Sequence, residues 1–188
     1  MVKTTDKIDI YSSYLKNNLG ETLFDKVIEH KPLKIVEFGT LNGYSAVYMG
    51  LALKELGRGL LFTYDLYDEY EYKHGKLSDV IENIKKFGLE SYVIPAKLNI
   101  NNWLVCKDTF DMCHIDISNN GDVVDNFIKS VNSEANSGSV CLFEGGSIER
   151  DDLEWMIKYN KPKINPIIKK YNGTIVNDKF PSISEVKI

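Results

Sequence analysis

Nowhere does the sequence carry an apolar run approaching the roughly 20 residues needed to cross a bilayer. The longest, around Ala46–Leu53, falls far short. Cysteine is scarce: Cys106, Cys113 and Cys141 make an odd count of three, with no CxxC pair. This excludes a disulfide framework and predicts small buried hydrophobes in a reducing compartment. An excess of basic charge is missing too. Lys+Arg number 23 against 27 Asp+Glu, a formal charge of -4, which argues against nucleic acid or an anionic membrane as partner. No apolar segment follows Met1-Val2-Lys3-Thr4-Thr5-Asp6, so no signal peptide is predicted and a cytoplasmic protein is expected. Repeats and low-complexity tracts are absent. What remains is an ordinary globular composition, 43% apolar and 27% charged over 188 residues, enough for one well-filled core and cramped for two.

Periodicity predicts two helical stretches over residues 6–30, with Ile8, Tyr11 and Leu15 on one face, Gly20 ending the first and Thr22 capping the second. Short apolar runs and helical patterns then alternate. Strands are expected at Leu33–Phe38, Leu60–Tyr64, Tyr92–Ala96, Phe110–Ile115 and Ser139–Phe143. Helices are expected at Ala46–Leu56, Ser78–Phe87, Val123–Val131 and Asp151–Tyr159. Two closing strands, Gly173–Val176 and Ile183–Ile188, have no helix between them, so at least one is antiparallel. Continuous apolar strands separated by helices mean an α/β fold, a mostly parallel seven-stranded sheet with helices on both faces. The expected division is N-terminal helices over 1–31 and the sheet domain over 32–188.

In such sheets ligands bind beyond the carboxyl ends of the strands, and four of those ends carry chemistry. The first reads Glu37-Phe38-Gly39, then Gly43-Tyr44-Ser45 opening a helix. Gly39 lets backbone pass close to a ligand, and the free amides after Gly43, with the Ser45 hydroxyl, suit a carboxylate or phosphate. The second ends in Asp65, a carboxylate able to accept both hydroxyls of a ribose. The fourth and fifth end in Asp116 and Glu144. Neighbours across a sheet edge, two such carboxylates either hold a cation or share a proton. His114, inside the fourth strand, reads as a satisfied interior residue.

The spacing Glu37-x-Gly39-x-x-x-Gly43 differs from the GxGxxG of dinucleotide sites. It resembles motif I of class I S-adenosylmethionine-dependent methyltransferases, and especially the catechol O-methyltransferase-like small-molecule branch. The resemblance spans about Leu33 to Phe143. It implies a single-domain Rossmann-like methyltransferase fold with S-adenosylmethionine as cofactor. Tyr44 and Ser45 would hold the cofactor carboxylate, Asp65 the ribose, and Leu98 and Asn99 the adenine edge. Asp116 would lie beside the reactive methyl group, and with Glu37, Gly39 and Gly43 these make up the expected cofactor site. Asp116 and Glu144 are the expected catalytic pair.

Departures from that pattern fall on the chemical half. Metal-dependent members follow the fifth-strand acid with Asn, where this chain has Gly145. Their catalytic lysine corresponds to Asn119, and relatives with an Asp-His pair carry it near Ser118 and Asn119. A magnesium set is therefore incomplete, and no metal ligand is assigned. The run Tyr67-Asp68-Glu69-Tyr70-Glu71-Tyr72-Lys73-His74 is either a lid that touches substrate, with His74 as base, or a solvated loop. The expected function is methyl transfer to a hydroxyl of a small molecule. A catalytically silent module that binds S-adenosylmethionine or a nucleotide is the alternative.

Overall fold

The computed structural model describes residues 8–71, 74–106, 108–118 and 120–188; Met1–Lys7, Tyr72, Lys73, Lys107 and Asn119 lie outside them. The core of the architecture is one sheet in the order β3-β2-β1-β4-β5-β7-β6. Its strands are β1 (Lys34–Phe38), β2 (Leu60–Asp65), β3 (Val93–Lys97), β4 (Met112–Ile115), β5 (Val140–Glu144), β6 (Thr174–Asn177) and β7 (Ile183–Lys187). The first five are parallel, whereas β7 runs antiparallel to both β5 and β6. Chain order reverses between β1 and β4, which opens a crevice at their carboxyl ends.

Eight α-helices complete the described fold: α1 (Leu19–His30), α2 (Tyr44–Leu56), α3 (Leu77–Lys86), α4 (Ile100–Cys106), α5 (Gly121–Val131), α6 (Ile148–Asp151), α7 (Glu154–Lys158) and α8 (Asn165–Lys170). Alternate strand residues point to opposite faces. Ile35, Leu61, Met112 and Leu142 meet Leu23, Val47, Leu53 and Ile84 of the first three helices. Val36, Cys113, Cys141 and Phe143 meet Trp103, Phe127 and Ile168 on the other side. Among the described residues no helix is long and apolar enough to cross a membrane.

The N-terminal reading needs correction. Residues 8–12 form no helix, and only a 3-10 helix follows, at Ser13–Asn17. Gly20 lies within the first turn of α1, where a Cβ would collide with the Tyr48 ring. The glycine is there for close helix packing, not as a stop. Thr22 is inside α1 and accepts from the Asn177 side chain at 2.7 Å. The expected helix at Asp151–Tyr159 is shorter, α7 alone, with the separate one-turn α6 ending at Asp151. Asp151 is buried and accepts from the amides of Ile164 and Asn165 at 2.9 and 2.7 Å, supplying acceptors for the free donors at the start of α8.

Candidate active site

Because β1, β2 and β4 are in register, Glu37 has Thr63 on one side and His114 on the other. In-register neighbours share a face, so the three side chains meet inside the sheet layer. Glu37 accepts from the Thr63 hydroxyl and stands 2.9 Å from His114 Nδ1, while the opposite ring nitrogen, Nε2, lies 3.1 Å from the Tyr14 hydroxyl. All four residues are fully buried. His114 is thus bonded through both ring nitrogens. The Tyr14 hydroxyl also borders Asp116. Burial, then the charges of Asp116, Glu144 and Glu37, push its ionisation well above the ordinary phenol range.

One residue beyond the paired stretch, Asp116 and Glu144 emerge side by side from β4 and β5. Burial first, and the Glu144 charge second, push the Asp116 carboxyl well above the usual carboxylate range. Glu144 Oε1 accepts from Arg150 Nη2 at 3.3 Å. The Arg150 guanidinium itself sits 5.4 Å from the Trp155 ring centroid and 5.2 Å from that of Phe180.

These ends open on a cavity of about 580 Å³. Gly39 and Leu41 after β1, Tyr64 and Asp65 of β2, Leu98 and Asn99 after β3, Asp116, Glu144 and Arg150 all line it, with Tyr11 and Ser13 of the N-terminal segment. Tyr44 and Ser45 line a small adjoining hollow shared with Gly39 and Asp116. Glu37 and Gly43 line neither. Glu37 is committed to the interior network, and Gly43, at φ 85°, turns the chain into α2. The Tyr44 hydroxyl donates to Asn18 Oδ1 at 3.3 Å, so its side chain faces the N-terminal helices.

Asp65 already organises the cavity rim. Its two carboxylate oxygens accept the Leu41 and Tyr67 amides at 2.8 and 3.0 Å, tying together the turns after β1 and β2. Asn99 Oδ1 accepts the Asn101 amide and so caps α4. The tyrosine-rich run divides: Tyr67 is buried, Tyr70 lines the cavity, and Asp68 and Glu69 pair with Lys97. His74 is exposed and is not among the lining residues.

A family model described as a methyltransferase domain matches residues 36–144, more than half of the chain. The chain belongs to this methyltransferase family. No curated protein matches the sequence. Similar solved structures include the O-methyltransferase TomG from Streptomyces achromogenes, in complex with SAM, at 14% identity and TM-score 0.66, covering 96% of this chain and 82% of that one. The O-methyltransferase from Bacillus cereus in complex with SAH aligns at 15% identity and TM-score 0.65, over 96% and 85% of the two chains. The SAH-bound methyltransferase PaMTH1 from Podospora anserina aligns at 16% and 0.66, over 94% and 79%. At such identities the likeness is one of fold. In this methyltransferase the matched segment runs from the residue before Glu37 to Glu144 itself, so it carries every strand end named above.

Arg150 is the charged cavity residue that sequence reasoning missed. Gly145-Gly146-Ser147 reads as a loop leading away from β5. Instead Ser147 caps α6 by accepting the Arg150 amide at 3.2 Å, and that short turn brings the guanidinium back onto Glu144. An arginine six residues after a strand-end acid, across two glycines, is the faint signal available.

Proposed function

We propose that the chain transfers a methyl group from S-adenosylmethionine to a hydroxyl of a small molecule, in a reducing, cytoplasmic setting. One observation carries this reading: a single cavity has a hydrogen-bonded carboxylate, Asp65, on one wall and the Asp116–Glu144 pair on another. The fold neighbours bound to SAM and SAH support the choice of cofactor.

The residues present fit that cofactor. Each Asp65 oxygen spends one acceptor position on a backbone amide and keeps another for a ribose hydroxyl. Leu98 and Asn99 offer an apolar and a polar edge to the adenine. The amides opening α2, with the Ser45 hydroxyl in the adjoining hollow, suit the carboxylate. When bound, S-adenosylmethionine supplies an electrophilic methyl group on a sulfonium sulfur. The chain's own residues hold the acceptor oxygen in line and receive its proton as the new O–C bond forms. Burial and the neighbouring Glu144 hold the Asp116 carboxyl above the usual carboxylate range, so that Asp116, when ionised, is a stronger base than an exposed carboxylate.

A divalent ion does not fit the donor set. The described residues contain no group of three or more His, Cys, Asp or Glu arranged to hold one, and Arg150 already stands on Glu144. The silent-module alternative is disfavoured by the fold neighbours, O-methyltransferases in complex with SAM or SAH, and by the carboxylate pair set in the cavity.

Calorimetric titration with S-adenosylmethionine, S-adenosylhomocysteine and NAD tests the cofactor. The first two should bind and NAD should not; tighter binding of NAD would overturn the reading. Turnover of an accepted hydroxyl compound should be equal with and without chelator and should be lost in Asp116→Asn or Glu144→Gln.

A further inference from the structure

Among the described residues lining the cavity, Arg150 is the one cation, against the carboxylates of Asp65, Asp116 and Glu144. It is only 6% exposed. A guanidinium has five N–H donors, and among the described residues the contact from Nη2 to Glu144, at 3.3 Å, is its one hydrogen bond. Its Nε is buried with no acceptor at all. A structural arginine–carboxylate pair normally closes as a short, two-pronged fork, because a desolvated cation with idle donors is costly. Here the pair is long and single. The rings of Trp155 and Phe180 also lie against the guanidinium but accept no conventional hydrogen bond.

A buried cation with one long ion pair and donors left over, set in a cavity wall, has room for a second anion. Resting on the function proposed above, we infer that Arg150 receives the carboxylate, or another planar oxyanion, of the acceptor molecule, so that the substrate class is a small hydroxylated organic acid. The position fits. Arg150 touches Glu144, and Glu144 neighbours Asp116, so an acid anchored on the guanidinium has its hydroxyl within reach of the carboxylates that would take the proton. Asp65 at the end of β2, and Leu98 and Asn99 after β3, leave that wall to the acceptor. The charge balance also closes. The guanidinium offsets the ionised member of the carboxylate pair, and the bound sulfonium offsets the acceptor's own charge.

The test is a calorimetric titration of protein loaded with S-adenosylhomocysteine, using benzoate and benzamide, planar isosteres that differ in charge. The wild type should bind benzoate at least about tenfold more tightly than benzamide, the value of a charge-assisted hydrogen bond. Arg150→Met should abolish that preference, and Arg150→Lys, a point charge without the fork, should keep only part of it. S-adenosylhomocysteine affinity should stay within about twofold in both variants, which also reports that they fold. If Arg150→Met does not fold, loss of most of the preference in Arg150→Lys supports the inference equally. Equal binding of the two probes, binding of neither, or a preference that survives the substitutions overturns the inference. So does weakened S-adenosylhomocysteine binding in either folded variant, which would give Arg150 to the cofactor's carboxylate. Failure of the wild type to bind S-adenosylhomocysteine sinks the proposed function instead, and the same probes on unloaded protein then still decide whether Arg150 is an anion site.

Discussion

Gly39 and Asp116 are in backbone contact: a Cβ on Gly39 would collide with the carbonyl group of Asp116 and lie 3.3 Å from its Cα. Gly39 also has φ 98°, a conformation that side chains resist. The constraint is therefore on the two strand ends themselves, before any ligand arrives. Gly39→Ala should destabilise the protein by about 1–3 kcal/mol and push Asp116 out of line. Chemical denaturation should show the stability loss, and calorimetry a concurrent fall in S-adenosylmethionine affinity.

Asp65→Ala should weaken S-adenosylmethionine binding by roughly ten- to a hundredfold, the consequence of about 1.5–3 kcal/mol per lost charge-assisted hydrogen bond. The substitution also releases the Leu41 and Tyr67 amides. Hydrogen exchange should accordingly speed up in the turns after β1 and β2 of the unliganded variant. Normal affinity in Asp65→Ala would remove the ribose assignment.

Asp116 makes stability depend on pH in a definite direction. Its folded carboxyl binds a proton more tightly than the unfolded one does. The native state then holds more protons above the ordinary carboxylate range, and stability falls as pH rises through the raised native value. Asp116→Asn removes that loss. Its gain over wild type should be negligible in acid, grow with pH and level off at roughly 0.5–2 kcal/mol, the size common when a functional-site constraint is relieved. Thermal melts of both proteins across pH check this, and a constant offset would refute it.

Glu37 and Tyr14 should separate stability from binding. Glu37→Leu strands His114 Nδ1 and leaves the Thr63 hydroxyl with Thr40 alone as partner, and should cost roughly 2–5 kcal/mol. Tyr14→Phe strands His114 Nε2 and removes the hydroxyl beside Asp116, and should cost about 1–3 kcal/mol. S-adenosylhomocysteine affinity should change little in Tyr14→Phe, since the ring stays and Tyr14 lines neither the cavity nor the adjoining hollow. A large affinity loss there would make Tyr14 part of the binding surface.

The strands were legible because covered parallel strands are written as apolar runs, and α2, α3 and α5 because their apolar periodicity is long. Shorter elements were hidden by their own composition. Ile100–Cys106 begins with a cluster of asparagines that reads as loop, yet Asn99 caps the helix and Trp103 anchors it in the core. Pro166 reads as a breaker, yet it stands in the first turn of α8, where a missing N–H does no harm. In the site, Asp116 and Glu144 were readable as strand-end acids whose adjacency follows from strand order. Arg150 was not, because its place depends on a turn after β5 that no local pattern specifies. Gly20 misled for a related reason: the Tyr48 ring it accommodates is distant in the chain.

β7 follows β6 in the chain but lies between β5 and β6 in the sheet. As the polypeptide leaves a ribosome, β6 emerges with nothing to pair with. The open edge of β5 waits, its amides and carbonyls bare, until Ile183–Lys187 slides in and joins the two. Completion of the sheet thus waits on a strand that follows both of its partners in the chain. Until then, the β5 edge is where a nascent chain most needs shielding from a neighbouring copy.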